Sequence, residues 1–264
     1  MSNNLRTLAP REEEKSTGQV RALARALSIL REVGSAEDGL TLTEVAGRVG
    51  LAPSTAHRLL TTLESQRFAR LSSTDGRWRI GVEAFATGAA FARSRNLSEI
   101  ARDSLEALVE NTGETVALFG ADMRDVICLH QIESTKPMRV SWSVGARLAM
   151  EACGPGKAML AMSPAMMTRA IAANEAPGAR ARMQAELDAV RRAGVSVDMG
   201  ASDAEVCAVS APLFDEAGVA VAAISVAAPV TRMDEARRLE IATAVLAAAG
   251  AATSAFGGKP PRTS

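Results

Sequence analysis

The chain has 264 residues, 47% apolar and 23% charged, with 30 Lys and Arg balanced by 30 Asp and Glu. That length suits one or two folded domains, and a formal net charge of +0 excludes a chain that meets nucleic acid through one global basic field. The distribution is uneven: residues 1–81 carry 12 basic and 9 acidic side chains, a net of +3, against 18 and 21 in residues 82–264, a net of −3.

Residues 1–17 mix charge, Pro and Ser without periodicity and are expected to be a disordered tail. From Val20 to Val33 a helix is expected, with Val20, Leu23, Ala24, Leu27 and Leu30 on one stripe packed beneath the next two helices of the chain. The next stretch, LTLTEVAGRVGLAPSTAHRLLTTLES, carries two helix starts. Thr41 and Glu44 have capping-box spacing. Leu42, Val45, Ala46 and Val49 form one buried face, and Gly50 supplies the left-handed residue that ends the helix. Pro53 suits the first turn of a second helix, whose inner face is Ala56, Leu59, Leu60 and Leu63. Its outer face is Ser54, Thr55, His57, Arg58, Thr61 and Thr62. Small hydroxyls with one Arg and one His suit a DNA major groove, because they bond phosphates and base edges and let a helix seat deeply. Thr41 and Thr43, at the start of the first helix, are grouped with this surface.

Phe68–Ser72 and Trp78–Ile80 flank the turn Ser73–Thr74–Asp75–Gly76 and read as a hairpin wing. Arg77 and Arg79 alternate with Trp78 and Ile80, which puts both on one face, toward phosphate or a minor groove. The order helix, helix, hairpin is that of a winged helix-turn-helix over residues 18–81. Residues 82–95 read as a stiff linker helix whose apolar face calls for a partner, a twin helix from a second subunit being the economical one.

Residues 96–256 mix helices and strands without a strict alternation, so the class is α+β, with one antiparallel sheet. A helix is expected over Leu97–Asn111, with strands at Thr115–Gly120, Val126–Ile132, Met138–Trp142, Val195–Asp198, Val206–Phe214 and Val219–Ala228. Gly154–Pro155–Gly156 opens a helix near Lys157. A glycine-rich entry of this kind exposes N–H groups that suit an anion, although its spacing is not that of a nucleotide-binding P-loop. Further helices are expected over Pro164–Ala172, Arg180–Ala193 and Asp234–Phe256, and a disordered tail over residues 257–264.

Cys128, Cys153 and Cys207 are dispersed and odd in number, and with only two His they exclude a zinc finger, so neither metal nor cofactor is expected. Free thiols fit a reducing cytoplasm. No secretory signal is evident, and the longest apolar run, near Val219–Ala228, is shorter than the ~20 residues that span a bilayer.

Taken together, RALSIL, GLTLTEVAGRVGLAPSTAHRLLTTLES and GRWRIG, followed by ETVALF, GPGKAMLA and EVCAVSAPLFDEAGVAVAAISV, resemble the IclR-type transcriptional regulators over about Val20 to Phe256. The resemblance implies a winged-helix DNA-binding domain, a linker helix and a GAF- or PAS-like effector-binding domain. It implies a homodimer or tetramer on double-stranded operator DNA, with a small organic acid or aromatic catabolite altering that binding. Carried over position by position, the family's ligand cleft falls on Cys153, Gly154, Pro155, Gly156, Asp198, Cys207, Ser225 and Ala227. Pro155 lacks an N–H and Ala227 lacks a polar group, which favours a less polar or larger ligand. Two other readings stand beside this one: an enzyme with Cys207 as nucleophile and His130 as base, and an architectural DNA-binding protein without a ligand.

Overall fold

In the computed structural model the residues described are 20–95, 97–173, 178–200 and 204–261. The expected tail at 1–17 lies outside them. The chain divides after Arg95 into two compact units.

The first unit comprises α1 (Arg21–Gly34), α2 (Leu42–Arg48), α3 (Pro53–Ser65), the hairpin β1 (Ala69–Leu71) and β2 (Trp78–Ile80), and α4 (Val82–Arg95). The capping box forms at α2: the Glu44 N–H donates to Thr41 Oγ1 at 3.3 Å and the Thr41 N–H to Glu44 Oε2 at 2.8 Å. Gly50, at φ +64°, turns the chain, and the Leu51 N–H reaches back to the Ala46 carbonyl at 2.9 Å. Leu40 bonds both ways with Trp78, so an isolated antiparallel bridge ties the segment before α2 to the hairpin. Ile29, Val33, Leu40, Val45, Leu60, Ala69 and Trp78 make the core.

The expected stripe on α1 is corrected. Ile29 and Val33 are buried, whereas Val20, Leu23 and Leu27 are 65%, 59% and 50% exposed. The helix is apolar on two adjacent stripes, and only one of them meets α2 and α3.

The second unit holds α5 (Leu97–Ile100) and α6 (Arg102–Thr112), then β3 (Thr115–Asp122), β4 (Asp125–Ile132) and β5 (Arg147–Ala149). Next come α7 (Gly154–Ala161), α8 (Pro164–Ala172), α9 (Ala179–Ala193), β6 (Ser196–Met199), β7 (Val206–Phe214), β8 (Ala220–Pro229) and α10 (Glu235–Ala255). The six strands form one antiparallel sheet in the order β5-β4-β3-β8-β7-β6. Strand alternation divides its two faces. Val116, Leu118, Cys207, Val209, Ala211, Leu213, Ala222, Ile224, Val226 and Ala228 pack with α6 and α10. Ala117, Phe119, Ala208, Ala223 and Ala227 pack with α7.

Two expectations change here. Residues 138–142 are not a strand, and the sheet's edge is β5 instead. Side chains hold that segment where a ladder would: Thr115 Oγ1 donates to the Val140 carbonyl at 2.6 Å, and Gln131 Oε1 accepts from the Trp142 N–H at 2.9 Å. Residues 257–261, expected as a tail, are seated. The Gly258 N–H bonds the Thr253 carbonyl at 2.8 Å and the Lys259 N–H bonds the Asp215 carbonyl at 3.2 Å. Gly258 passes so close to Phe214 that a Cβ there would lie 1.8 Å from its carbonyl oxygen. Residues 262–264 lie outside the described set.

Candidate functional site

On the first unit, α3 presents Ser54, His57, Arg58, Thr61 and Thr62 to solvent, with Thr55 half-buried. Ala52 is the N-cap and Pro53 the first helical residue. The Thr61 and Thr62 hydroxyls donate to the carbonyls one turn back, at 3.0 and 2.9 Å. They therefore face outward chiefly as acceptors, suited to base amino groups more than to phosphate oxygens. Arg58 has no acidic partner among the described residues. Thr43 is exposed, and Thr41 is committed to the cap of α2.

The wing arginines are placed differently from the expectation of a free phosphate-binding face. Arg77 Nη1 donates to the Gly39 carbonyl at 2.9 Å and to Glu44 Oε2 at 3.1 Å, tying the hairpin to α2. Arg79 makes a two-pronged pair with Asp75 at 3.1 and 2.7 Å across the wing turn. The Arg79 guanidinium, with help from the Ser72 hydroxyl, holds the Asp75 carboxyl well below the usual carboxylate range.

Two residues that the sequence pattern did not single out adjoin α3. Arg21 and Arg25 of α1 line one groove with Thr55, His57, Arg58, Thr61 and Thr62, about 630 Å³ in volume. No acidic residue lines it. The signal was there in the i, i+4 spacing of Arg21 and Arg25, but which side of α1 faces α3 is a tertiary fact.

On the second unit, the α7 entry lies directly on the sheet. A Cβ on Gly156 would lie 2.1 Å from the Met150 carbonyl oxygen. One on Gly154 would lie 2.9 Å from Ser210 Oγ and 3.3 Å from Asp198 Cβ. Ser210 Oγ and Ser225 Oγ are hydrogen-bonded at 2.9 Å, both fully buried. Asp198 pairs with Ala208 and Ser225 with Ser210, while Ala227 also pairs with Ala208. Asp198, Ser225 and Ala227 therefore share the face covered by Cys153 and α7. The Cys153 thiol is pushed up to about 12, first by burial. Ser210 was missed because its place beside Gly154 depends on strand register.

Cys207 does not join this group. It packs with α6 and α10 on the opposite face of the sheet, and Ala208 occupies the inward position beside it. One residue along a strand reverses the face. Burial pushes the Cys207 thiol up to about 11. β7 and β4 are separated by β8 and β3, which at ~4.8 Å per strand puts Cys207 at least ~14 Å from His130. A nucleophile–base pair needs hydrogen-bond reach, ~3 Å.

A helix pair entered through a capping box, a hairpin wing and an exposed recognition helix, followed by a separate α+β unit, define a winged-helix transcription regulator. Residues 22–72 match the IclR helix-turn-helix domain, and residues 89–254 match the bacterial transcriptional regulator IclR C-terminal domain. The transcriptional repressor IclR of Escherichia coli K12 is 36% identical over 256 residues, covering 92% of each chain. An IclR transcriptional regulator of Silicibacter sp. TM1040 superposes with a TM-score of 0.74 at 26% identity, over 91% of this chain and 98% of that one. An IclR homologue from Microbacterium hydrocarbonoxydans, solved as a complex with 4-hydroxybenzoate, gives 0.75 at 21% identity, over 89% and 99%. The chain belongs to the IclR family: it is a DNA-binding transcriptional regulator, and the family's members are not enzymes. Among the described residues no helix is long and apolar enough to cross a membrane.

Proposed function

We propose that the protein reads an operator by seating α3 in the major groove. Arg58 reads a base edge, Ser54, Thr55, His57 and Thr62 add contacts around it, and Thr43 meets backbone at the start of α2. Arg21 and Arg25 flank α3 on the phosphates. Arg77 and Arg79 act chiefly by holding the wing. The observation that carries this reading is the acid-free groove along α1 and α3, which Arg58 lines. In the second unit, a small organic acid or aromatic catabolite binds at the α7 entry, against Cys153, Gly154, Pro155, Gly156, Asp198, Ser225 and Ala227, and shifts operator affinity. The 4-hydroxybenzoate held by the Microbacterium homologue is a ligand of this chemical kind. The chain works in the cytoplasm as a homodimer or tetramer.

Fluorescence anisotropy on the DNA upstream of the protein's own gene and its neighbours tests the first part. Arg58→Ala should weaken the preferred site by ~1–3 kcal/mol while leaving random DNA nearly unchanged, as expected for a bidentate base contact. Equal loss on both would make Arg58 a phosphate contact. For the second part, a stabilising ligand should also move the operator affinity. A ligand that binds both DNA-competent and DNA-incompetent arrangements equally shifts nothing.

A further inference from the structure

The α7 entry carries an ion-paired group that the ligand reading does not use. Lys157, one turn into α7, is 7% exposed. Its Nζ donates to Glu186 Oε1 of α9 at 2.6 Å and lies 4.0 Å from Asp198 Oδ1 of β6. Helical side chains lean toward the N-terminus of their helix, so the Lys157 stem runs back toward the Gly154 turn. Asp198 stands at that turn, its Cβ 3.3 Å from where a Gly154 Cβ would be. The burial is graded: the Asp198 side chain is 4% exposed, Lys157 9% and Glu186 44%. The three charges thus form a chain from solvent to the entry of α7.

The sign of the charge at this entry needs explaining. First-turn N–H groups favour an anion, but Asp198 is a buried carboxylate on the same spot. A second carboxylate beside it meets like-charge repulsion in a poorly solvated place. A cation within reach of both relieves it. Lys157 is that cation. Its ammonium carries three donors, one of them on Glu186. The 4.0 Å separation from Asp198 exceeds a hydrogen bond and admits a bridging oxygen.

We propose that Lys157 is the counter-charge that admits an anionic ligand, a small monocarboxylate, to the α7 entry, and that Glu186 sets its reach by holding the ammonium back toward solvent. The proposal rests on the reading of this entry as the effector site. Lys157 contacts the ligand carboxylate. Glu186 is a positioning residue, acting on the ligand only through Lys157. Selectivity then lies in charge at this end of the α7 entry.

The test uses the full-length protein and matched probe pairs: acetate with acetamide, benzoate with benzamide, and 4-hydroxybenzoate with 4-hydroxybenzamide. Dissociation constants come from the melting temperature as a function of probe concentration. In the wild type, at least one acid should bind tenfold or more tightly than its amide. Lys157→Met should abolish that preference while amide binding stays put, and Lys157→Arg should restore part of it. Glu186→Gln, on a half-exposed partner and so tolerated by the fold, should change acid affinity threefold or more with the amide unmoved.

If Lys157→Met binds the acid as the wild type does, or if acid and amide weaken together in both variants, the lysine is only a structural tie and the proposal is overturned. If Glu186→Gln leaves the acid-to-amide ratio untouched, its Glu186 half is overturned. If the wild type binds amide and acid equally, the effector-site reading stands and the counter-charge fails. If no probe of either kind stabilises the wild type, the effector-site reading fails first.

Discussion

Asp75 lies in the wing turn and Arg79 four residues on in β2, and their two-pronged pair decides what the wing can do. A guanidinium already matched to a carboxylate neutralises little phosphate charge, so it displaces few of the counterions condensed on DNA. Arg79→Ala should therefore leave affinity and salt dependence close to wild type. Asp75→Asn should do the reverse: it frees the arginine and steepens the log–log salt slope by ~0.9 for each phosphate newly engaged. Titrations of a random duplex at several salt concentrations separate the cases. If Arg79→Ala flattens the slope by the ~0.9 expected of one lost phosphate contact, Arg79 already touches DNA and the pair opens on binding. The sequence could not show this, because Asp75 looked like an ordinary turn residue and the pair exists only once the turn has closed. The capping box at Thr41 and Glu44, by contrast, was legible. Both partners are local and their bonds follow from spacing alone.

Among the elements, the corner where α6, β3 and the start of α10 converge is tied by one carboxylate. Glu114, 2% exposed, accepts from Arg232 Nε and Nη2 at 2.9 and 2.7 Å and from Lys136 Nζ at 2.6 Å. Arg237 Nη2 adds a bond to the Thr112 carbonyl at 2.6 Å. Burial alone would raise the Glu114 carboxyl, but the hydrogen bonds of Arg232 and then Lys136 outweigh it and hold it below its ordinary value of 4.5. A depressed carboxylate stabilises the fold above its unfolded-state value, and the contribution is lost as pH falls through the folded one. Glu114→Gln should thus cost roughly 2–3 kcal/mol at neutral pH. That is less than the ~3–5 of a fully buried pair, because both cations reach solvent. Denaturant midpoints should show this gap closing as pH drops below about 4.5, the ordinary value. A gap that persists undiminished at pH 3 would mean the glutamate acts by packing rather than charge.

Element-scale legibility follows the same physics. Five of the six strands lie close to where the sequence placed them, since apolar runs bounded by turn residues declare themselves. The face of each strand did not. Grouping Cys207 rather than Ala208 and Ser210 with the α7 entry is a slip of one residue, which in a period-two element reverses everything. Likewise α1 was recognised as a helix, but two adjacent apolar stripes left its inward side to be decided by α2 and α3.

At the scale of the whole molecule, the stripe that α1 leaves outside has a counterpart on α4, where Val82 and Phe85 are 53% and 74% exposed. Single exposed apolar residues are ordinary, but a stripe of three along α1 and its N-cap and a Phe on α4 in the same unit are not. The proposed operator reading offers a reason for them. One α3 offers a single strong base-reading side chain, so selectivity requires copies placed in register, and a twofold pair sets its half-sites about one helical turn apart, roughly 34–36 Å. The exposed stripe would then be covered by a second copy of this chain. Phe85→Glu should move the sedimentation coefficient toward that of a monomer and weaken binding to a paired site at least tenfold, while affinity for an isolated half-site stays near that of a wild-type monomer. The substitution lies on an exposed position and should leave the melting of the wing core unchanged. If the mass and the paired-site affinity both hold, Phe85 is not at the contact and the register of the two recognition helices must be set within the second unit. Paired-site affinity lost without a change in mass would instead place Phe85 on the DNA side of an assembly held together elsewhere.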